Sequence, residues 1–419
     1  MLIALIVLLI CIQLIATILI QWSAIVAFLG LIRKRESPGP SRPKNRFAVI
    51  VCAHNEANVL EHLLDSLDAQ DYPKEFWHVY VLADHCTDGT AKRAKKYPFV
   101  TAFERKDGPQ TGKGDVLTWG IAKILREKSD TLDAFLLFDA DNVAKSDFMS
   151  RMNEALNKGE TIVQGNRLAG EPYRSIITQW YAIYWSAYTF LYSYPRQKLG
   201  LSAFLTGTGF AVRKELLEKY GWHTSTITED VEFAFQQCLR RDRVSFCVDA
   251  ICYDEQPSNF FVMMRQLARW CTGSYQIFYK YIHKWLRTFR RKPSARLMDN
   301  LALLLTGPCS VIILIATIFV NIVYTATFKH ARLIQVIMIL LSMFFTYIAT
   351  ERTSRFAGIK FKKLLPGFFL FPIFLICFTF CSLYSLIFPT RKWRKIEHQG
   401  LEVNRESNPE KPAAQNEKK

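Results

Sequence analysis

The chain has 419 residues, half of them hydrophobic, with 54 Lys and Arg against 37 Asp and Glu and a formal net charge of +17. That length holds a globular domain plus membrane segments, and the positive excess points to an anionic partner, either nucleic acid or a membrane surface. The ten cysteines follow no zinc-type spacing and several sit inside apolar runs, which excludes a zinc-knuckle protein and fits reduced, small apolar side chains facing the cytosol.

Leu2 to Ile32 is almost wholly apolar, broken mainly by Gln13, Gln21 and Ser23, and is long enough to span a bilayer. Arg33-Lys34-Arg35 follows at once, with no charge ahead of the span. Positive charge on that side predicts an outward N-terminus and a cytoplasmic remainder. A cleaved signal would carry its charges in front of a shorter core. Residues 1–32 are thus read as a transmembrane helix and 33–46 as a linker, stiffened by the prolines of Ser37 to Pro43.

From Phe47 the pattern alternates. Strands are predicted at Phe47–Cys52, Trp77–Leu82 and Ala134–Phe138. Helices are predicted from Asn55 to Gln70, after Thr87 as N-cap, and from Asp115 to Lys128. This order implies a largely parallel α/β sheet with right-handed crossovers. It collects Glu56, Asp84, Lys113, Asp139 and Asp141 along the edge where such sheets bind ligands. The apolar run Ala134–Phe138 ends in Asp139-Ala140-Asp141. Two acids there repel unless a cation lies between them, although a solvated loop explains an isolated pair equally well. Neither GxGxxG nor GxxxxGK[ST] is present, so dinucleotide and P-loop readings lack support. A nucleotide sugar held through a divalent cation fits the paired aspartates.

Further along, Gly207-Thr-Gly-Phe210 precedes Thr228-Glu229-Asp230, and Gln266, Arg269 and Trp270 stand at i, i+3 and i+4, one face of a helix. Each has a plainer explanation. Asp230 can cap a helix over Val231–Leu239, Glu56 can offset a helix dipole, Lys113 can be a surface lysine, and Trp270 can sit in a membrane interface. The catalytic region is placed at 47–258.

Tyr181, Tyr184, Trp185 and Tyr188 recur at helical spacing, either a core stripe or an interfacial helix. Residues 259–300 are read as interfacial helices, closing on a basic run from Lys280 through His283, Lys284, Arg287, Arg290 and Arg291 to Lys292 that suits anionic lipid headgroups. Its position before a membrane span argues against nucleic acid. Leu301–Thr327 and Leu333–Thr350 are predicted spans, Glu351–Lys363 a basic cytoplasmic loop, and Leu364–Phe388 a further apolar segment, within a 301–388 membrane region. Arg391-Lys-Trp-Arg-Lys395 follows. Four full spans put the tail outside, whereas positive-inside wants it within. The resolution adopted is that the last segment lies in the interface or re-enters, leaving Trp393 to His398 near the active-site side. The tail region is 389–419, polar and disordered from about Gly400.

The set Ala53-His-Asn-Glu56, Ala83-Asp-His-Cys-Thr-Asp-Gly-Thr90, Gly112-Lys-Gly114, Asp139-Ala-Asp141, Gly207-Thr-Gly-Phe210, Thr228-Glu-Asp230 and Gln266-Leu-Ala-Arg-Trp270 resembles the membrane-embedded family 2 glycosyltransferases. They share a GT-A nucleotide-sugar-binding fold and include the synthases of cellulose, hyaluronan, chitin oligosaccharides and poly-N-acetylglucosamine. Ala83 departs from the pattern, since many relatives carry a second aspartate there. The resemblance implies that Glu56, Asp84 and Lys113 bind the nucleotide of a UDP-sugar. Asp139 would sit by the sugar and phosphates, and Asp141, with Asp139, would ligate Mn2+ or Mg2+. Asp230 is implied as general base, and Glu229, Gln266, Arg269 and Trp270 as contacts to acceptor and diphosphate. The implied activity is inverting transfer to a growing β-linked polysaccharide at the cell membrane, with export. A single transfer to a lipid such as ceramide or diacylglycerol is the alternative. The oligomeric state is left open.

Overall fold

A computed structural model describes residues 2–33, 41–110, 112–327, 331–390 and 400–401. Most of the proline linker, the basic segment holding Trp393 to His398 and the tail beyond Leu401 lie outside the described residues.

Eight strands form one sheet. They are β1 (Phe47–Ala53), β2 (Trp77–Asp84), β3 (Val100–Arg105), β4 (Ala134–Asp139), β5 (Asn142–Ala144), β6 (Ile162–Ala169), β7 (Phe210–Arg213) and β8 (Val244–Asp254). The spatial order is β3-β2-β1-β4-β7-β6-β8-β5. β3, β2, β1 and β4 run parallel, β7 is antiparallel to β4 and β6, β8 is parallel to β6, and β5 is antiparallel to β8. The sheet is therefore mixed and mostly parallel. Both faces of β1 are buried, as central parallel strands require. Phe47, Val49 and Val51 pack with Leu60, Leu63, Leu64 and Leu67 of the Leu60–Asp68 helix. Ala48 and Ile50 pack with Val116, Leu117, Ile121 and Ile124 of the Lys113–Lys128 helix.

The helix expected from Asn55 starts only at Leu60 and ends at Asp68. Asn55 adopts φ +57°, a left-handed conformation incompatible with a helix start, and its Oδ1 accepts from Thr87 N at 2.7 Å. The Glu56 and Ala57 amides donate to Thr90 Oγ1 and Asp88 Oδ2. The two loops at the sheet edge thus spend their polar groups on each other. Thr87 caps no helix. The Thr90–Ala94 helix starts after Gly89, at φ +87°.

Leu2–Ile32, Phe260–Arg291, Ala331–Phe356 and Leu365–Ile387 are long helices. The span expected over Leu301–Thr327 is two helices, Ala295–Leu304 and Thr306–Thr327, bent by 62° at Leu305. Pro308 lies in the first turn after the break, where its missing N–H costs least. Among the described residues three helices are long and apolar enough to cross a membrane, or four if the bent pair counts as one span.

Leu365–Ile387 meets the catalytic region at its start and the Phe260–Arg291 helix towards its end. Near its start, Gly367 N donates to Gln179 Oε1 at 2.7 Å and Trp180 Nε1 to Gly367 O at 3.0 Å. Near its end, Ser385 Oγ donates to Ala268 O and Thr390 N to Thr272 Oγ1. Beyond it, Gly400 N donates to Glu255 Oε2 at 2.9 Å, and Leu401 is buried against Gly170. Gly400 and Leu401, at the expected onset of disorder, are thus placed against the catalytic region. The missing side chain at Gly170 makes room for the leucine, since a Cβ there would lie 2.4 Å from Leu401 Cδ2.

Candidate active site

A cleft of about 1570 Å³ opens where β1, β2 and β4 end, and all ten side chains singled out in the sequence line it. Three elements build it: the loops at the sheet edge, the Thr228–Asp230 turn, and the membrane-side helices.

At the sheet edge, Asp84 closes β2. Its Oδ1 lies 2.9 Å from His85 Nδ1 and 3.3 Å from Arg105 Nη1. Lys113 opens its helix and bridges two walls. Its ammonium sits 2.5 Å from Asp139 Oδ1 and donates to Gly207 O at 2.7 Å. Burial pulls the Lys113 pKa down, but Asp139 and the other acids nearby outweigh it and hold the lysine charged. Lys113 is thus no free surface lysine. The Asp139 amide donates to Thr208 Oγ1 at 3.0 Å and Asn142 Oδ1 at 3.2 Å, which fixes the turn carrying Asp141.

Behind this turn lies a network the sequence reading missed. Asp254, buried at the end of β8, accepts from Arg167 of β6, from Asn142 Nδ2 at 2.8 Å and from Gln256 Nε2 at 2.5 Å. Arg167 also donates to Thr206 O and covers the Trp185 ring at 4.6 Å. The available signal was an apolar stretch closing on an acid, Tyr253-Asp254, the same signature as Phe138-Asp139. Burial, then the charges of Asp254 and Asp139, push the Asp141 carboxyl well above the carboxylate range. Crowded acids of this kind favour a bound cation. No group of three His, Cys, Asp or Glu among the described residues forms a metal cage. One or two carboxylates here, with oxygens from a diphosphate and water, match the hard-ligand needs of Mg2+ or Mn2+, so these residues fit such an ion.

Across the cleft, Glu229 and Asp230 start the Glu229–Leu239 helix. Gly207 has φ +86°, and a Cβ placed on it would lie 3.4 Å from Asp230 Oδ2. Asp139, Lys113, Gly207 and Asp230 therefore form one continuous strip. Burial raises both carboxyls of the pair, Glu229 to about 7, against the lowering pull of Lys113 and Arg269. Glu232 anchors the turn. Buried, it accepts from Ser225 N and Thr226 N, both at 2.7 Å, and from Lys280 and Tyr281. Lys280, expected on the lipid-facing basic run, is held instead by this buried acid.

The aromatic stripe resolves as a wall. Tyr181 and Trp185 are buried in the Ile176–Ala187 helix. Trp270 stacks on Tyr184 at 6.1 Å and meets Trp185 edge-on at 5.8 Å. Gln266 accepts from Tyr181 Oη at 2.5 Å, and Arg269 completes this side of the cleft.

The sequence profile described as glycosyltransferase like family 2 matches residues 43–273. The chain belongs to that family. It is 25% identical over 259 residues to a probable glycosyltransferase, YdaM, of Bacillus subtilis, 59% of each chain. It is 24% identical over 272 residues to the beta-monoglucosyldiacylglycerol synthase of Nostoc, covering 62% of this chain and 55% of that one. It is 23% identical over 251 residues to the poly-beta-1,6-N-acetyl-D-glucosamine synthase of Staphylococcus aureus, covering 58% and 57%. The chain thus spans under three fifths of the length of these curated relatives. In fold it is similar to a mannosyltransferase, PcManGT, of Pyrobaculum calidifontis, solved with GDP-Man and Mn2+. The TM-score is 0.59 at 17% identity, over 89% of this chain and 99% of that one. The family and this neighbour place the catalytic sheet in the GT-A class.

Proposed function

We propose that this family member transfers a sugar, with inversion, from a UDP-sugar to an acceptor hydroxyl presented at the membrane. The observation that carries it is the strip Asp139–Lys113–Gly207–Asp230, which lines one cleft with Asp141 and with the aromatic and membrane-side helices.

The nucleotide occupies the sheet edge beside Glu56 and Asp84. The diphosphate lies at the start of the Lys113–Lys128 helix, where the backbone dipole and the fixed charges of Lys113 and Arg269 favour the negative charge that grows on the departing UDP. A divalent cation held by Asp141, with Asp139 at hand, would supply Lewis-acid neutralisation of that charge. Asp230 accepts the proton of the acceptor hydroxyl. The oxygen attacks the anomeric carbon opposite the leaving group, the bond to the diphosphate breaks, and its electron pair departs on UDP. Trp270 and Tyr184 offer ring faces for a sugar.

Two acceptors fit. A growing β-linked polysaccharide, exported through the spans, is the reading the motif set implies, and the aromatic wall suits it. A lipid is favoured by the apolar side chains that continue the cleft among the membrane helices, Leu303, Pro308, Phe371 and Phe378 among them. The domain is read as cytoplasmic and the chain as a cell-membrane protein.

Purified full-length protein with Mn2+ or Mg2+ and a panel of UDP-sugars is expected to release UDP, with product mass naming sugar and acceptor; GDP-mannose serves as the contrasting donor. Asp230→Asn is expected to lower kcat by roughly 10²–10⁴-fold with UDP affinity retained. A variant as fast as the parent would remove Asp230 from the role of base.

A further inference from the structure

An apolar groove of about 290 Å³ lies between the Phe260–Arg291 helix, the first turns of Thr306–Thr327 and the last turns of Leu365–Ile387. Leu304 and Val311 form its buried floor, and Tyr279, Leu383 and Leu386 its exposed lip. Ser274, Tyr275, Leu304 and Pro308 line both this groove and the active-site cleft, so the two are joined through a shared wall. We propose that the groove seats a hydrocarbon chain of a lipid acceptor whose headgroup hydroxyl reaches Asp230. This rests on the sugar-transfer reading above and names its acceptor class.

Three observations commit the groove to a lipid chain. Two of its walls, Thr306–Thr327 and Leu365–Ile387, expose apolar side chains such as Ile315 and Ile376, so bilayer hydrocarbon is what meets that side of the lip. The third, Phe260–Arg291, exposes Lys284 and Arg287, which suit lipid headgroups. Its lining side chains carry no charge, and their only polar groups are the hydroxyls of Ser274, Tyr275 and Tyr279, so a hydrated glycan would lose its water there without replacement partners. The polarity changes where the groove meets the cleft. Tyr275 Oη and Ser382 Oγ lie 2.8 Å apart, and a Cβ on Gly307 would lie 3.0 Å from Ser382 Oγ. Glycine keeps that junction open, and its hydroxyls suit a headgroup in transit. The 62° bend at Leu305 turns Val311 and Ile312 away from the axis of the preceding helix and opens the groove.

The test uses the full-length protein in detergent, the donor identified by the panel, and dioctanoylglycerol, dioleoylglycerol and a soluble oligosaccharide as acceptors. Ile312→Trp fills the wall. Leu386→Trp, at the exposed lip, narrows the mouth without burdening the fold. Neither residue lines the cleft, and calorimetric UDP affinity at the parent's value certifies the folded site. The expected product carries a single sugar on the glycerolipid. Both variants are expected to raise KM for dioleoylglycerol about tenfold, the loss when roughly two methylenes are no longer buried, with a smaller rise for dioctanoylglycerol and kcat unchanged. Equal KM in parent and variants, a lipid that occupies the groove and is never glycosylated, or sugar delivered only to the oligosaccharide would overturn the proposal while UDP release still upheld the donor chemistry. Absence of both UDP binding and UDP release would instead bring down the transfer reading, and the groove's role with it.

Discussion

Glu229 and Asp230 are adjacent carboxyls, and burial makes ionisation costly for both. A carboxyl raised in the folded state binds its proton more tightly than in the unfolded chain. Its contribution to stability is therefore full below the unfolded value and is lost as pH climbs through the folded one. For Glu229 that window runs from the ordinary 4.5 to about 7. Glu229→Gln should remove the dependence and stabilise the protein by on the order of 3 kcal/mol at about pH 8, with little change near pH 4. Thermal midpoints of the purified protein at the two pH values check this, and an equal gain at both would contradict it. In the proposed role of general base Asp230 must be ionised, so its raised pKa is expected to move the acid limb of kcat above the range of a solvated aspartate, and Asp230→Asn should abolish that limb. Lys113 shows where residue identity stops being informative. Its place at a helix start was legible, but its grip on Asp139 and on the Gly207 carbonyl joins positions far apart in the chain, and no local pattern announces that.

The first helix, Leu2–Ile32, is tied to the catalytic domain by a buried polar knot. Arg196 and Asp299 pair at 2.9 Å, with 1% and 0% side-chain exposure, and Trp22 Nε1 donates to Asp299 Oδ1 at 3.0 Å. Gly30 lets the same helix meet Pro195, where an added Cβ would come within 2.4 Å of the proline Cβ. Tyr188–Ser193, a π-helical stretch, leads into the Tyr194–Leu199 helix that carries Arg196; such stretches favour functional sites, and this one adds Tyr188 and Tyr192 to the cleft wall. Asp299→Ala would strand a buried guanidinium and should cost about 3–5 kcal/mol, read as a lower melting temperature in detergent. A loss under about 0.5 kcal/mol would mean the pair is solvated in the membrane-bound protein. Asp299 looked unremarkable in sequence, because an isolated acid near a helix start has many ordinary uses.

At the scale of the whole molecule, the direction of the Leu365–Ile387 helix decides where the C-terminus lies. A helix of 23 residues is about 35 Å long, enough to cross a bilayer; its start bonds to Gln179 of the catalytic region, and the residues past its end bond to Thr272 of the Phe260–Arg291 helix. Read as lying along the interface, it keeps the tail on the catalytic side. A C-terminal reporter and Gly358→Cys, tested against impermeant label in intact cells, should both report the cytoplasmic side; opposite sides would make this helix a true span. The acid-tipped strands, their βαβ order and the two acidic turns were legible from the sequence, because burial of a parallel strand and the placement of ligands at its end leave a local imprint of apolar runs followed by polar residues. The extra strands β3, β5, β6 and β8, the Arg167–Asp254 support, the course of Leu365–Ile387 and the groove beside it came only with the tertiary structure. Hydropathy measures how apolar a segment is and says nothing of which way it runs, and a buried ion pair or a shared wall exists only once distant stretches have met.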